Sequence, residues 1–216
     1  MHYWQKVMQL VDIHTHNTKH EGGVITIKSM PFANFGKLNS KREGLFSTGI
    51  HPWEVERVPE NALDKLAEII AFENVKIIGE CGLDKNIATP FEKQLYFFRQ
   101  QIHLSEKAQK PLIIHCVGYF NELFQFKNEL KPTQRWIIHG FRGKPQLAQQ
   151  ALQHGLDISF GEKHNPEAVK ITPLEHLFIE TDESKLLVSD IYRDIAVIKQ
   201  CNIDELDAGY KLICSK

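Results

Sequence analysis

The amino-acid sequence predicts an α/β protein, a small (β/α)8 barrel of the TIM type with a shortened first βα unit. Three observations carry this. Short apolar or β-branched runs recur eight times along the 216 residues. Helical patterns separate most of them, long enough to return the chain for parallel pairing. The composition, 42% hydrophobic and 25% charged, is that of a globular chain able to bury a core without disulfides. No linker and no internal repeat divides the sequence, which predicts one domain over 1–216.

The elements follow in order. Val7–Ile13 reads as a strand, Val24–Lys28 as a short β-branched run and Gly44–Ile50 as a third strand. About ten residues separate Ile13 from Val24, fewer than the dozen a parallel crossover usually uses. The first helix is therefore expected to be missing or badly shortened, and the second strand to pair irregularly. A helix over Glu60–Ala71 leads to a buried strand at Val75–Gly79. Phe91–Gln109 has the clearest helical period, with Phe91, Leu95, Phe98 and Ile102 forming one apolar stripe. Thr89, Pro90 and Glu92 predict a capping box with proline at the first helical position. Strand Leu112–His115, helix Tyr119–Leu130, strand Trp136–His139, helix Pro145–His154 and strand Leu156–Phe160 come next. A short helical turn, strand Leu177–Glu180 and helix Asp190–Gln200 complete the series. Apolar strands alternating with helices mean a parallel sheet covered on both faces. Eight such units can close into a barrel, and a doubly wound open sheet is the alternative.

Several function classes are excluded. No apolar run approaches the about 20 residues a membrane span needs. The N-terminal MHYWQKVMQLVDIHTH has neither the apolar core nor the cleavage site of a secretory leader. Lys plus Arg number 26 against 27 Asp plus Glu, a net charge of −1. That argues against nucleic-acid binding by bulk charge alone, but not against phosphate binding through metal ions. Cys81, Cys116, Cys201 and Cys214 form no C-x-x-C, which fits a reducing, cytoplasmic setting. There is no Gly-rich P-loop and no dinucleotide fingerprint, so no dinucleotide cofactor is expected.

Histidine is the outlier, with 11 in the chain. Five stand at strand C-termini: His14 and His16 in D-I-H-T-H, His51 in G-I-H-P-W, His115 in I-I-H-C and His139 in I-I-H-G. Glu80 and Asp84 follow the fourth strand, and Glu180 and Asp182 the eighth. In a parallel barrel the strand C-termini share one face, which holds the active site. The H-x-H spacing puts His14 and His16 on one side of an extended chain. Imidazole and carboxylate together suit divalent transition ions, and Glu80, with two oxygens, can bridge two of them. Two ions about 3.5–4 Å apart can activate water and stabilise both oxygens of an in-line displacement. Imidazole-rich ligation favours Zn2+, Mn2+ or Fe2+ as the resident metal, with Mg2+ able to support activity. His2, His20, His103, His154, His164 and His176 lack a partner pattern and read as structural. Glu54, Glu56 and Arg57 read as a solvated approach to a helix, and Ser184 has no base placed for a nucleophilic dyad.

At these residues the sequence resembles the TatD-type metal-dependent deoxyribonucleases, within the amidohydrolase-like hydrolases. The matches run in order: D-I-H-T-H at 12–16, G-I-H-P-W at 49–53, I-G-E-C-G-L-D at 78–84, I-I-H-C at 113–116, H-G-F-R-G at 139–143 and E-T-D at 180–182. The resemblance implies a barrel of the metal-dependent hydrolase type with two (one to three) divalent ions, acting on DNA. It implies that His14 and His16 bind the first ion with Asp182, and that Glu80 bridges to a second ion held by His115 and His139. Asp182 would also orient and deprotonate the attacking water, which makes Asp182 and Glu80 the expected catalytic residues. His51 would touch the substrate phosphate, and Asp12 and Glu180 would hold the ligands in place. The chain departs from the family pattern at Glu183-Ser184, where a small residue and proline usually follow E-T-D. It departs again at Val117, often basic, at Lys85-Asn86 after G-L-D, and at Gly209–Lys216. Two rival readings keep the same residues: an amidohydrolase-like esterase, lactonase or deacylase acting on a small molecule, and a metal-binding barrel without turnover.

Overall fold

The structure is a computed structural model that describes residues 9–18, 21–37 and 39–214, with the backbone alone at 35–37. Eight strands form one sheet in sequential order, and each neighbouring pair is parallel. They are β1 (Val11–Thr15), β2 (Ile25–Pro31), β3 (Leu45–Gly49), β4 (Val75–Asp84), β5 (Leu112–Val117), β6 (Trp136–Ile138), β7 (Asp157–Phe160) and β8 (Leu177–Ile179). Helices α1 (Ala62–Ile70), α2 (Phe91–Ala108), α3 (Phe120–Leu130), α4 (Pro145–Gln153), α5 (Pro166–Ile171) and α6 (Val188–Lys199) occupy the crossovers and the outer layer. A further helix, α7 (Ala208–Cys214), packs near β1, with Gly209 close against Val11; no pattern in the sequence marks it. Val7 and Met8, where the first strand is expected to begin, and His2 and His20 lie outside the described residues.

The short first unit is present and extends further than expected. Among the described residues no helix joins β1 to β2, and β2 reaches β3 through the 3-10 turn Phe32–Lys37. β2 still pairs in parallel with β1, with a register shift between Asp12 and Thr15, as the short connection predicts.

Closure between β8 and β1 relies on side chains as well as backbone. At the C-terminal rim, Thr15 and Asp182 form a parallel bridge in which His16 N donates to Asp182 O (3.0 Å) and Asp182 N to His14 O (3.0 Å). One step lower, the Asp12 carboxylate accepts Thr181 N (2.9 Å) and Thr181 Oγ1 (2.7 Å). Lower still, the Tyr192 hydroxyl on α6 donates to Val11 O (3.0 Å) and accepts Val11 N (3.2 Å). Buried backbone groups need partners, and along this seam side chains provide them.

Ile27, Ile77, Ile113, Ile137 and Phe178 form an apolar cluster with Val11, Ile13 and Ala208. Side chains alternate along a strand, so Ile27 shares a face with Ser29, Ile113 with His115, Ile137 with His139 and Phe178 with Glu180. The polar rim thus stands on an apolar floor. The larger cluster lies between sheet and helices and includes Leu66, Ile78, Phe98, Ile114, Trp136 and Ile195.

Two details of α2 differ from expectation. Its N-cap is Pro90, which makes no side-chain cap, so the capping box does not form. The Thr89 carbonyl instead accepts Gln94 Nε2 at 2.8 Å. The buried face of α2 also carries two fully buried glutamines beside Phe98 and Ile102. Gln94 Oε1 accepts Asp84 N (2.8 Å), and its Nε2 donates to Asp84 O (3.0 Å). Gln101 does the same for Ile50, accepting N (2.7 Å) and donating to O (3.0 Å). One helix thereby grips the ends of β3 and β4, next to His51 and at Asp84. Gln101→Leu is expected to lower stability by about 2–4 kcal/mol in urea unfolding, because two buried backbone groups lose their partner. A loss below about 0.5 kcal/mol would show that those groups are satisfied otherwise.

Candidate metal centre

The strand ends bring the predicted residues together. Glu80 stands at the middle, its side chain 11% exposed. Its Oε1 lies 3.3 Å from His14 Nε2 and 2.9 Å from His16 Nε2. Its Oε2 lies 3.0 Å from His139 Nε2 and 3.6 Å from His51 Nε2. Each oxygen therefore faces a different pair of imidazoles. Asp182 Oδ1 completes the first side, 3.7 Å from His16 Nε2 and 3.9 Å from His14 Nε2.

The sequence places Glu80 there through its glycines. Gly79 and Gly82 have φ of 139° and 135°, and a Cβ on either would meet a β5 carbonyl, 2.3 Å from Ile113 O or 2.1 Å from His115 O. Only glycine lets β4 run that close to β5. The β4–β5 register shifts between Ile78 and Cys81, around Glu80. Asp182 adopts φ of 52°, a left-handed conformation that aspartate tolerates better than most residues.

Four groups of three donors lie close enough to hold an ion: His14, His16 and Asp182; His14, Glu80 and His139; His51, Glu80 and His115; His139, Glu180 and Asp182. His115 and His139, expected on one ion, fall in different groups, although their rings lie 5.7 Å apart. The donor set fits divalent ions on a further ground. His14 is fully buried, and its Nε2, which faces Glu80 and Asp182, makes no hydrogen bond. A buried polar atom left without a partner costs roughly 1–3 kcal/mol, a cost that a bound cation removes.

Charge states follow from the surroundings. Burial opposes ionisation of Glu80, but the His14 and His139 imidazoles outweigh it and hold the carboxyl well below its usual range. Burial lowers His51 to about 3. Burial and His139 also lower His115, so both rings are neutral at pH 7. The hydrogen bond to Glu80 raises His16 against the effect of burial. Burial raises Asp182, with Glu180 adding to it, and pushes Asp12 up to about 7 despite the bonds from Thr181.

Asp12 and Glu180 lie behind the cluster. Asp12 holds Thr181, next to Asp182. Glu180 is fully buried, accepts Gly140 N at 2.6 Å and lies 3.7 Å from His139 Nδ1. Three participants carry no role in the sequence reading. Asp84 Oδ2 lies 3.0 Å from His115 Nε2 and accepts Trp53 Nε1 at 2.7 Å. Glu54 is half-buried rather than solvated, and its Oε2 accepts Phe32 N (3.3 Å) and His51 N (3.4 Å), securing the loop beneath His51. Trp53 is 57% exposed, its ring 5.0 Å from His51 and 6.0 Å from His115. Glu56 and Arg57 are exposed, as expected, with Glu56 paired to Lys93. His154, His164 and His176 have structural partners in Asn128, Gly161 and Asp157. The histidine cluster opens into a cleft of about 340 Å3 between Ser29, His51, Trp53, Glu80, His139 and Asp182.

The family model described as TatD related DNase matches residues 7–206. The chain belongs to that family. It is 28% identical over 156 residues to the 3'-5' ssDNA/RNA exonuclease TatD of Citrobacter rodentium, covering 67% of this chain and 59% of that protein. It is 32% identical over 183 residues to an uncharacterized metal-dependent hydrolase of Buchnera aphidicola, covering 78% of this chain and 68% of that one. The matched stretch spans 50% to 64% of the nuclease-named curated relatives. A TatD homologue from Escherichia coli K12 shares the fold with a TM-score of 0.79 at 20% identity, covering 94% of this chain and 97% of that one.

Asp84 is the residue of this TatD-family chain most easily tested apart from the cluster itself. A carboxylate on a ligand imidazole fixes ring orientation and raises basicity, and losing it costs about 10–100-fold in metal affinity. Asp84→Asn is expected to weaken Zn2+ or Mn2+ binding in a competition titration against a chromophoric chelator by that factor. Wild-type affinity in this variant would remove His115 from the ligand set.

Proposed function

We propose that this chain is a divalent-metal-dependent phosphodiesterase that cleaves DNA, with the metals held by His14, His16, Glu80, His115, His139 and Asp182. The observation that carries the reading is Glu80, whose two oxygens face two different sets of imidazoles in an open cleft. When bound, divalent ions there would activate water and offset the charge of a phosphate. Zn2+, Mn2+ or Fe2+ suits the imidazole-rich donors. The relatives named as exonucleases support nucleic acid as substrate. Four free cysteines accord with a reducing, cytoplasmic setting.

The residues divide the work. The Asp182 carboxylate would receive the proton of the attacking water. Burial raises its pKa, which brings a carboxylate closer to the strength a general base needs at neutral pH. His51 serves the substrate. Its Nδ1 accepts Trp53 N at 3.1 Å, so the proton of the neutral ring sits on Nε2. With its proton on Nε2, the ring donates to a phosphate oxygen. His115 is arranged in the opposite sense: Asp84 engages its Nε2, which leaves Nδ1 with a free lone pair as the ligating atom. Asp12 and Glu180 hold the loop that carries Asp182 and the start of the loop after His139.

The decisive experiment strips the protein with EDTA, restores Mn2+, Zn2+ or Mg2+, and follows cleavage of end-labelled single-stranded DNA. Activity should return with metal. Asp182→Asn and Glu80→Gln should each lower it by about 10³-fold or more. A folded, metal-loaded wild type that leaves DNA intact while hydrolysing p-nitrophenyl esters would transfer the assignment to small-molecule ester hydrolysis.

A further inference from the structure

Trp53 stands at the mouth of the histidine cleft, 57% exposed, and is nevertheless tied to two neighbouring imidazoles. Its backbone N donates to His51 Nδ1 (3.1 Å). Its indole Nε1 donates to Asp84 Oδ2 (2.7 Å), the same oxygen that lies 3.0 Å from His115 Nε2. The two rings it reaches are packed together, with centroids 4.5 Å apart. A side chain left this exposed gains little from burial, so its polar contacts are what distinguish the position.

Asp84 is held from several directions. Its side chain is 4% exposed, and Gln94 grips its backbone N and O. Oδ1 accepts Asn86 N (2.8 Å), a local bond, while Oδ2 accepts the indole from the loop after β3. The last torsion of an aspartate is soft. A donor on each oxygen, from different elements, keeps the carboxylate from turning and aims Oδ2 at His115. An ionised carboxylate only accepts, so His115 carries its proton on Nε2 and keeps the Nδ1 lone pair. The bond made by one ring nitrogen decides the state of the other. His51 is also protonated on Nε2, because Trp53 N occupies its Nδ1. The two rings therefore present opposite ends: His51 offers a donor and His115 a lone pair.

We propose that Trp53 is a positioning residue for the ion on the His115 side of Glu80. Its indole N–H fixes Asp84, and through Asp84 it holds the His115 ring with Nδ1 free to ligate. The inference rests on the ligand set proposed above, and not on which bond is cut. Because the same indole forms a wall of the cleft, a molecule in the cleft lies against the group that orients His115.

The test is a double-mutant cycle on the full chain, read by Zn2+ competition against a chromophoric chelator and by the melting temperature without metal. Trp53→Phe keeps an aromatic ring in the cleft wall and removes the N–H donor. It should weaken one of two Zn2+ equivalents by about tenfold, the lower end of the range for groups behind a metal ligand, and leave the other within about twofold. Asp84→Asn should weaken the same equivalent by about 10–100-fold. Because Trp53 acts through Asp84, the double variant should bind no more weakly than Asp84→Asn alone, within about twofold. The melting temperature of Trp53→Phe should stay within about 4 °C of wild type; a merely structural role would lower it and weaken both equivalents together. Trp53→Phe with wild-type affinity at both equivalents overturns the proposal. Effects that multiply in the double variant overturn it too, since Trp53 and Asp84 would then act independently. Wild type that takes up fewer than two equivalents removes the ion on the His115 side, and the proposal with it. The expected cycle in a chain that leaves both DNA and bis(p-nitrophenyl) phosphate intact overturns the phosphodiesterase reading alone.

Discussion

The rim of the barrel is organised around one buried anion. Glu80 has lost most of its hydration, and a carboxylate in that position persists only if it is surrounded by positive or hydrogen-donating groups. The surrounding groups are imidazoles from other strand ends, divided between the two oxygens. Much of the nearby structure serves this placement. Gly79 and Gly82 let β4 press against β5 and shift register around Glu80. Gln94 and Gln101 hold the strand ends on either side. The isoleucine and phenylalanine floor beneath excludes water from below, which strengthens each polar contact above it.

Stability and function are not separable at the β8–β1 seam. Asp12, Thr15 and Asp182 close the barrel, and the same stretches carry His14, His16 and the proposed base. Tyr192 on α6 satisfies both backbone groups of Val11 at this seam. Opening the seam would move the two imidazoles of D-I-H-T-H away from Asp182. The residues that position the site therefore also hold the closure.

Most of the fold is legible in the sequence because strand ends and chemistry coincide in it. An apolar run followed at once by His, Glu or Asp marks both the strand and the face on which it ends, as at Ile113–His115 and Ile137–His139. The features that are not legible depend on contacts between elements. Gln94 and Gln101 look like polar positions on an amphipathic helix, and only the packed structure shows their amides gripping Asp84 and Ile50. The Trp53–Asp84–His115 chain joins three strand ends, a relation that no local spacing encodes. Glu54 is hidden among the charged neighbours Glu56 and Arg57. The capping box fails because Gln94, one turn in, takes the Thr89 carbonyl and ties it to Asp84. α7 is seven residues long and packs against both β1 and β8, so a short AGYKLIC run carries no independent signal.

A nearly neutral chain can still be built for a polyanion if its positive charge is local. The four proposed ligand imidazoles contribute no charge when neutral, and Glu80 and Asp182 contribute −2. Two divalent ions would leave the centre at about +2 before waters. Such a field is screened in salt over about 8–10 Å, so it acts on phosphates at or next to the centre and gives the rest of a nearly neutral surface no attraction for a polyanion.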